Sequence, residues 1–275
     1  MAAVLITGTS GFVGSRLAAA LAPAHQVTGL SRQPVAIDGV TSVLGDFADP
    51  RSLGDLDDHP VDVLVHLAGV TGAASEEDAM TVNVVGTRRL LRWAVDRGIR
   101  RIILASSIAA VGCLSTTFVP RQLPIPDDHP CDSSNVYGVS KAMIEQLADY
   151  FYRVTPGLEI LSFRIGAVLP VDAVPVDQVD VRSFGQPFCQ LGAVEVDEVV
   201  RSFAAAIDNP LGPGVRRMNL VAEQARSPIT TADAIRLLLG DRAAGLDLSY
   251  YETAGHERAG VYAVDRIRRA YWPAT

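Results

Sequence analysis

No stretch of the 275-residue chain holds eighteen uninterrupted apolar residues, so a membrane-spanning helix is not expected. The N-terminus lacks a basic segment, and Thr7, Gly8, Thr9, Ser10 and Gly11 break its apolar run. That pattern argues against a secretory leader and for a first β-strand. Positive charge is scarce: 24 Lys and Arg stand against 31 Asp and Glu, a net charge of −7. Such a balance builds no basic groove, and nucleic acid is a poor partner. A small anion can still be held by local arginines and helix N-termini. Cysteine is sparse too. Cys113, Cys131 and Cys189 are odd in number and scattered without metal-ligand spacing. They read as unpaired thiols of a reducing cytoplasm, with no metal site. Internal repeats and low-complexity linkers are missing. What remains is a chain with 48% hydrophobic residues, enough for a large core in one domain, or in a domain with a small appended lobe.

Short apolar runs alternate with helical patterns. Strands are expected at Val4–Thr7, Gln26–Leu30, Val40–Leu44, Val61–Leu67, Arg101–Ser106 and Glu159–Arg164. Helices are expected at Gly11–Ala22, just after Asp49-Pro50, from about Ser75 to Arg97, and at Asn135–Arg153. This order implies an α/β fold, a parallel sheet with helices on both faces. Right-handed crossovers make it doubly wound, a Rossmann fold. After Gly166 the character changes. Residues 167–192 are rich in Val, Pro and Asp and lack periodicity. A helix at Val196–Ile207, a strand near Arg217–Val221 and a helix at Thr230–Leu239 follow. Residues 1–166 thus read as the Rossmann domain. Residues 167–275 read as a small substrate-binding lobe interleaved with the last sheet elements.

The segment "LITGTSGFVGS" places Gly8, Gly11 and Gly14 directly after the first strand. Gly8 allows a tight turn, Gly11 a close approach of a pyrophosphate to the backbone, and Gly14 close packing of helix on strand. The N–H groups around Phe12 and Val13 then face the phosphates. The spacing is G-x-x-G-x-x-G. Where the second strand ends, an acidic residue would bind the adenosine ribose; this chain has Ser31 and Arg32. Arginine suits a 2′-phosphate through its planar, permanently charged fork, which favours NADP over NAD. Asp46 in "LGDFAD" is placed to accept from the adenine amino group, with Phe47 beside the ring.

"YGVSK" sets Tyr137 and Lys141 four residues apart, on one helix face. A neighbouring ammonium favours the phenolate and lowers the tyrosine pKa. The same lysine can hold the nicotinamide ribose. "ILASSIAAVG" ends a strand with Ser106 and Ser107, where a hydroxyl can orient a substrate oxygen toward Tyr137.

With these pieces in order, the chain resembles the extended short-chain dehydrogenase/reductase family, the NAD-dependent epimerase/dehydratase group. The matching segments are "TGTSGFVGS", "GDFAD", "HLAG", "NVVGT", "SSIAAVG", "YGVSK", "FRIGAVLP" and "VEVDEVV". The resemblance implies Tyr137 as catalytic acid/base, Lys141 as its electrostatic partner and Ser107 as the orienting hydroxyl. It implies Asn83 as a supporting group, with Leu67, Ala68 and Gly69 lining the cofactor cleft. Ser10, Ser106 and Ile165 complete the set expected along the cofactor.

The chain also departs from the family pattern. Its substrate lobe is short. Val111 stands for the usual tyrosine of the serine motif, and Ile165 follows Arg164 where the family has proline or tyrosine. Leu191 and Glu195 occupy places that commonly hold an arginine for a nucleotide-sugar diphosphate and a nearby histidine. Arg182 is the one basic residue between 167 and 192, and Arg216 and Arg217 are alternatives for reaching a diphosphate. A diphosphate buried without cations would be costly. His66 reads as structural, and Asp127 and Asp128 as a solvated turn. The helix near 75–97 forms either ordinary core or, with the Tyr137 helix, a homodimer surface.

Three functions are consistent with these residues. The leading one is a cytoplasmic NADP-dependent oxidoreductase acting on a small carbonyl or alcohol. The second is a nucleotide-sugar epimerase or dehydratase. The third is a non-catalytic protein that senses NADP.

Overall fold

The computed structural model describes residues 1–71 and 74–272. The last three residues of the expected lobe lie outside them. Seven strands form one parallel sheet in the order β3-β2-β1-β4-β5-β6-β9. They are β1 (Ala3–Thr7), β2 (Gln26–Ser31), β3 (Val40–Leu44), β4 (Val63–His66), β5 (Arg101–Ser107), β6 (Glu159–Ile165) and β9 (Gly214–Leu220). A separate parallel pair joins β7 (Ala167–Leu169) to β8 (Ala193–Glu195). The strand order reverses between β1 and β4, where Thr7 lies beside His66 on one side and Leu30 on the other. In such sheets the crevice at the reversal is where ligands bind.

The helices are α1 (Phe12–Leu21), α2 (Pro50–Gly54), α3 (Glu76–Asp78), α4 (Thr87–Asp96), α5 (Val136–Val154), α6 (Pro187–Leu191), α7 (Val196–Asp208), α8 (Thr231–Leu239), α9 (Ser249–Glu252) and α10 (Asp265–Tyr271). Strands β1 and β4 are buried throughout because helices cover both faces. One face packs Val4, Ile6, Val65 and Phe163 against Leu17 and Leu21 of α1, Phe203 of α7 and Ile267 of α10. The other packs Leu5, Leu64, Ile102 and Leu104 against Leu53 of α2, Leu90 and Leu91 of α4, and Ile144 and Phe151 of α5. A third core lies in the lobe. It joins Phe188, Leu191, Val221, Ile235, Tyr251 and Tyr262 to Ile108, Val111 and Cys113, from the segment that follows β5. Among the described residues no helix is long and apolar enough to cross a membrane.

The doubly wound sheet expected from the sequence is present, with two differences of detail. The single helix expected near 75–97 is broken: between α3 and α4, Ala79–Gly86 forms a π-helical segment. The region 167–192, which lacks periodicity, holds β7, two short 3₁₀ turns and α6, all too brief to show a period. Asp127 is not in a solvated turn. It is 5% exposed, its Oδ1 accepts from the Asn219 backbone N–H at 2.6 Å, and Arg266 lies 3.5 Å from its other oxygen. Burial pushes its carboxyl up to about 6.

Candidate active site

The glycine turn has the close packing its spacing predicts. Gly8 adopts φ +84°, where a Cβ would stand 2.9 Å from the Ala68 amide nitrogen. A Cβ on Gly14 would be 2.2 Å from the Gly8 carbonyl oxygen, and one on Gly11 would crowd the same oxygen at 3.1 Å. Helix α1 therefore begins against the strand, capped by Gly11 with no side chain on its first N–H groups. Phe12 is exposed, its ring under the Arg16 guanidinium, and Val13 packs on the first core.

A cleft opens over this turn. Its walls are Gly8, Ser10 and Gly11 on one side, Ser31 and Arg32 at the end of β2, Asp46 and Phe47 after β3, and Leu67, Ala68 and Gly69 after β4. Among the residues lining it, Arg32 is the one cation and Asp46 the one carboxylate. The Ser31 hydroxyl donates to the Gln33 carbonyl at 2.6 Å. Asp46 Oδ1 accepts from the Ala48 N–H at 2.8 Å. Phe47 packs edge-on to His66, with ring centroids 4.7 Å apart. The uncapped N–H groups and the side-chain-free turn fit a dinucleotide pyrophosphate.

Helix α5 starts where Asn135 caps it. Asn135 Oδ1 accepts from the N–H groups of Tyr137 (3.0 Å) and Gly138 (3.3 Å), which fixes Tyr137 in the first turn. Gly138 has no room for a side chain: a Cβ would lie 2.2 Å from both the Ala109 carbonyl oxygen and Ser133 Oγ. That contact brings α5 onto the segment after β5, where Tyr137 and Ser107 are neighbours. Lys141, one turn on, is 6% exposed. Its Nζ donates to the Ala105 carbonyl at 2.7 Å and lies 5.7 Å from the centre of the Tyr137 ring. Asn83, in the π-helical segment, accepts from the Val70 N–H (2.8 Å) and donates to the Val70 carbonyl and Ser140 Oγ (both 3.0 Å). Gly69 sits between, since a Cβ there would be 2.8 Å from Asn83 Oδ1 and 3.9 Å from Lys141 Nζ. Ser107, Tyr137, Lys141 and Asn83 thus gather at the mouth of β4 and β5.

Electrostatics differ from the sequence expectation in one respect. Burial raises the Tyr137 phenol above its ordinary value, and the neighbouring Ser107 hydroxyl opposes that rise. The Lys141 ammonium donates to the Ala105 carbonyl and lies 5.7 Å from the centre of the phenol ring. Burial lowers Lys141 itself to about 8. His66 is held between Thr7 Oγ1 (2.7 Å) and Thr87 Oγ1 (2.9 Å), and burial, with the Lys141 charge, lowers it to about 3. It is a neutral structural histidine, as its place in the strand suggests.

A model of the NAD dependent epimerase/dehydratase family matches residues 4–169. The chain belongs to that family. Among its curated relatives, the L-arabinose 1-dehydrogenase (NAD(P)(+)) of Haloferax volcanii is 31% identical over 183 residues, covering 63% of this chain and 70% of the relative. The UDP-glucose 4-epimerase of Halalkalibacterium halodurans is 28% identical over 172 residues, covering 59% of this chain and 49% of the relative. Among solved structures, a short-chain dehydrogenase/reductase superfamily protein from Agrobacterium tumefaciens, with bound NAD, superposes with a TM-score of 0.70. It is 23% identical, with 98% of this chain and 91% of that one covered. This member of the epimerase/dehydratase family is therefore an NAD(P)-dependent enzyme by kinship. The matches span only about half to 70% of the length of these curated relatives.

Some expected site residues sit elsewhere. Ser106 is buried and its hydroxyl donates to Glu145 Oε1 at 2.7 Å, away from the cleft. Ile165 packs on the first core, and its carbonyl is 3.5 Å from Ser107 Oγ. Arg216 is committed to the carbonyls of Gly212 and Leu211, and Arg217 to Glu145 and Asp149, at the far edge of the sheet. Neither faces the Tyr137 mouth. Sequence reasoning missed Glu145 and its partner Arg164, a pair only 1–2% exposed with Nη2–Oε2 at 2.8 Å. It also missed that Cys113 and Cys189 meet in the third core, near Tyr137. Arg164 and Glu145 are 19 residues apart, and nothing local marks them as a pair. Among the described residues, no three His, Cys, Asp or Glu side chains converge as metal ligands.

Proposed function

We propose that this family member is a cytoplasmic NADP-preferring dehydrogenase or reductase acting on a hydroxyl or carbonyl of a small sugar-like molecule. The observation that carries the reading is Ser107 beside Tyr137 with Lys141 buried one turn on, close to a cleft that Gly69 and Arg32 line. The dinucleotide, when bound, supplies the acceptor or donor of hydride. Gly8, Gly11, Phe12 and Val13 would hold its phosphates, Asp46 its adenine, and Arg32 a ribose phosphate. At the other end, the Ser107 hydroxyl orients the substrate oxygen. Tyr137 gives that oxygen a proton in reduction and takes it back in oxidation. Lys141 supplies positive charge one turn away, and Asn83 fixes the backbone that flanks it.

The relative named as an L-arabinose 1-dehydrogenase supports a small sugar or polyol substrate. Leu191, buried where a diphosphate-binding arginine is common, counts against a nucleotide sugar. The relative named as a UDP-glucose 4-epimerase keeps epimerisation as the second reading.

The test is twofold. Purified protein is denatured and any released nucleotide is identified by mass. Near-stoichiometric NAD(H) would overturn the NADP preference and favour the epimerase, which regenerates its cofactor each cycle. Tyr137→Phe is then assayed against sugars and small carbonyls with NADPH or NADP. We expect turnover to fall by about 10²–10⁴-fold with cofactor binding retained. Turnover that survives the change removes Tyr137 from the proton transfer.

A further inference from the structure

Three consecutive residues at the end of β5 each meet one of three residues spaced four apart on α5. Ser107 is the neighbour of Tyr137, the Ala105 carbonyl accepts from Lys141, and Ser106 Oγ donates to Glu145. We propose that Glu145 is a positioning residue, setting through Ser106 the place at which β5 presents Ser107 to Tyr137. The inference rests on the reaction proposed above.

Glu145 is anchored on every side. Its Oε1 accepts from Ser106 Oγ (2.7 Å) and Arg164 Nε (2.9 Å), and its Oε2 from Arg164 Nη2 (2.8 Å) and Arg217 Nε (3.0 Å). Arg164 is held in turn by the His129 carbonyl at 3.0 Å. Burial works against the carboxylate, but Arg164, Ser106 and Arg217 outweigh it and hold the group below the usual range. Charge-assisted bonds of this kind are short and stiff. The carboxylate cannot shift without breaking four of them. An ion pair between Glu145 and Arg164 would be complete without Ser106, so the serine bond is an added link, and it reaches the strand residue next to Ser107. Adjacent strand residues point to opposite faces. Fixing Ser106 on the inner face therefore fixes Ser107 on the cleft face. A misplacement of about 1 Å at a reacting group can cost about 10²-fold in rate.

Ser106→Ala removes only the link and leaves Glu145 on its two arginines. Glu145→Gln weakens the anchor itself. Ser202→Ala serves as a control, being fully buried and bonded to Trp272 Nε1 (2.8 Å) and the Glu198 carbonyl (2.8 Å), remote from α5. The first readout needs no turnover: the ¹³Cζ resonance of Tyr137 at pH 7, assigned by its loss in Tyr137→Phe, reports the surroundings of the phenol beside Ser107. The second is steady-state kinetics on whichever substrate the wild type turns over. We expect Ser106→Ala to shift the Tyr137 resonance and to lower kcat by about tenfold or more, with cofactor KM within about twofold. Ser202→Ala should do neither at a similar loss of Tm. An unmoved resonance in Ser106→Ala, or an equal shift in Ser202→Ala, overturns the proposal, and should Glu145→Gln fail to fold, Ser106→Ala decides alone. If the wild type turns over no substrate, the functional reading fails while the resonance still tests the positioning.

Discussion

Lys141→Met should make the protein more stable while destroying its activity. The lysine is nearly the same size as methionine, 6% exposed, and has one acceptor, the Ala105 carbonyl at 2.7 Å. Burial lowers its pKa to about 8 from the ordinary 10.5. A base whose folded pKa lies below its unfolded value is bound to a proton less tightly in the native state. Folding therefore pays a penalty at every pH below about 8, where both states carry the charge. The penalty shrinks between about pH 8 and 10.5 and vanishes above that. The difference of 2.5 units corresponds to about 3 kcal/mol at pH 7. Losing a hydrogen bond from a charged donor returns about 1.5 kcal/mol or more. A net gain of about 1–2 kcal/mol remains for the methionine variant. Urea denaturation of both proteins at pH 7 and at pH 10 measures it, without added nucleotide. The gap should be open at pH 7 and largely closed at pH 10. A variant that is less stable at pH 7, or a gap that ignores pH, would refute the reasoning. The result would mean that the Ala105 bond, and not desolvation, governs Lys141.

Other perturbations test other parts of the site. Arg32→Ala should weaken NADPH binding by about 10–100-fold, the loss of roughly 1.5–3 kcal/mol of charged hydrogen bonds, and leave NADH within about twofold; titration calorimetry decides. Gly138→Ala forces a Cβ to 2.2 Å from the Ala109 carbonyl oxygen and Ser133 Oγ, so α5 must retreat from the Ser107 segment. Turnover should fall by about 10²-fold and Tm by several degrees, from about 1–3 kcal/mol of overpacking. Asp127→Asn keeps an acceptor for the Asn219 N–H and removes a carboxylate that burial raises from 3.8 to about 6. Its folded pKa exceeds the unfolded one, so the wild type is penalised above about pH 6 and not below about 4. The asparagine variant should be more stable by roughly 1–3 kcal/mol at pH 7–8, with the advantage fading as pH falls toward 4 in the same denaturation assay.

The sheet was legible because its strands are buried on both faces and read as continuous apolar runs: "VLIT" and "VDVLVHL" could be little else. The cradle was legible because a turn pressed against α1 and β4 admits only glycine at Gly8 and Gly14. Tyr137 and Lys141 were legible because the helix period alone sets them together. What could not be read depends on long-range meetings. Asp127 looks like a loop residue until Asn219, 92 positions on, covers it. Glu145 looks like a surface charge on a helix until Arg164 and Arg217 enclose it. The direction of the Tyr137 shift depends on how the fold buries the phenol, which spacing does not specify. The π-helical segment around Asn83 likewise has no local signature, since "AMTVNVVG" continues the helical pattern on both sides.

Ile108, Val111 and Cys113 follow directly on Ser107, yet their side chains belong to the same core as Phe188, Leu191, Tyr251 and Tyr262 of the C-terminal region. The piece of chain that carries the serine is thus shared property. A lobe transplanted from a relative, in the hope of importing its substrate range, would bring a core with no matching floor unless residues 108–113 travelled with it. Chimeras cut at the end of β6 alone should express as poorly packed proteins. Those that also exchange the 108–113 turn should regain a cooperative melt. The lobe of this molecule is not a cassette, because its core is built from two stretches of sequence that must be changed together.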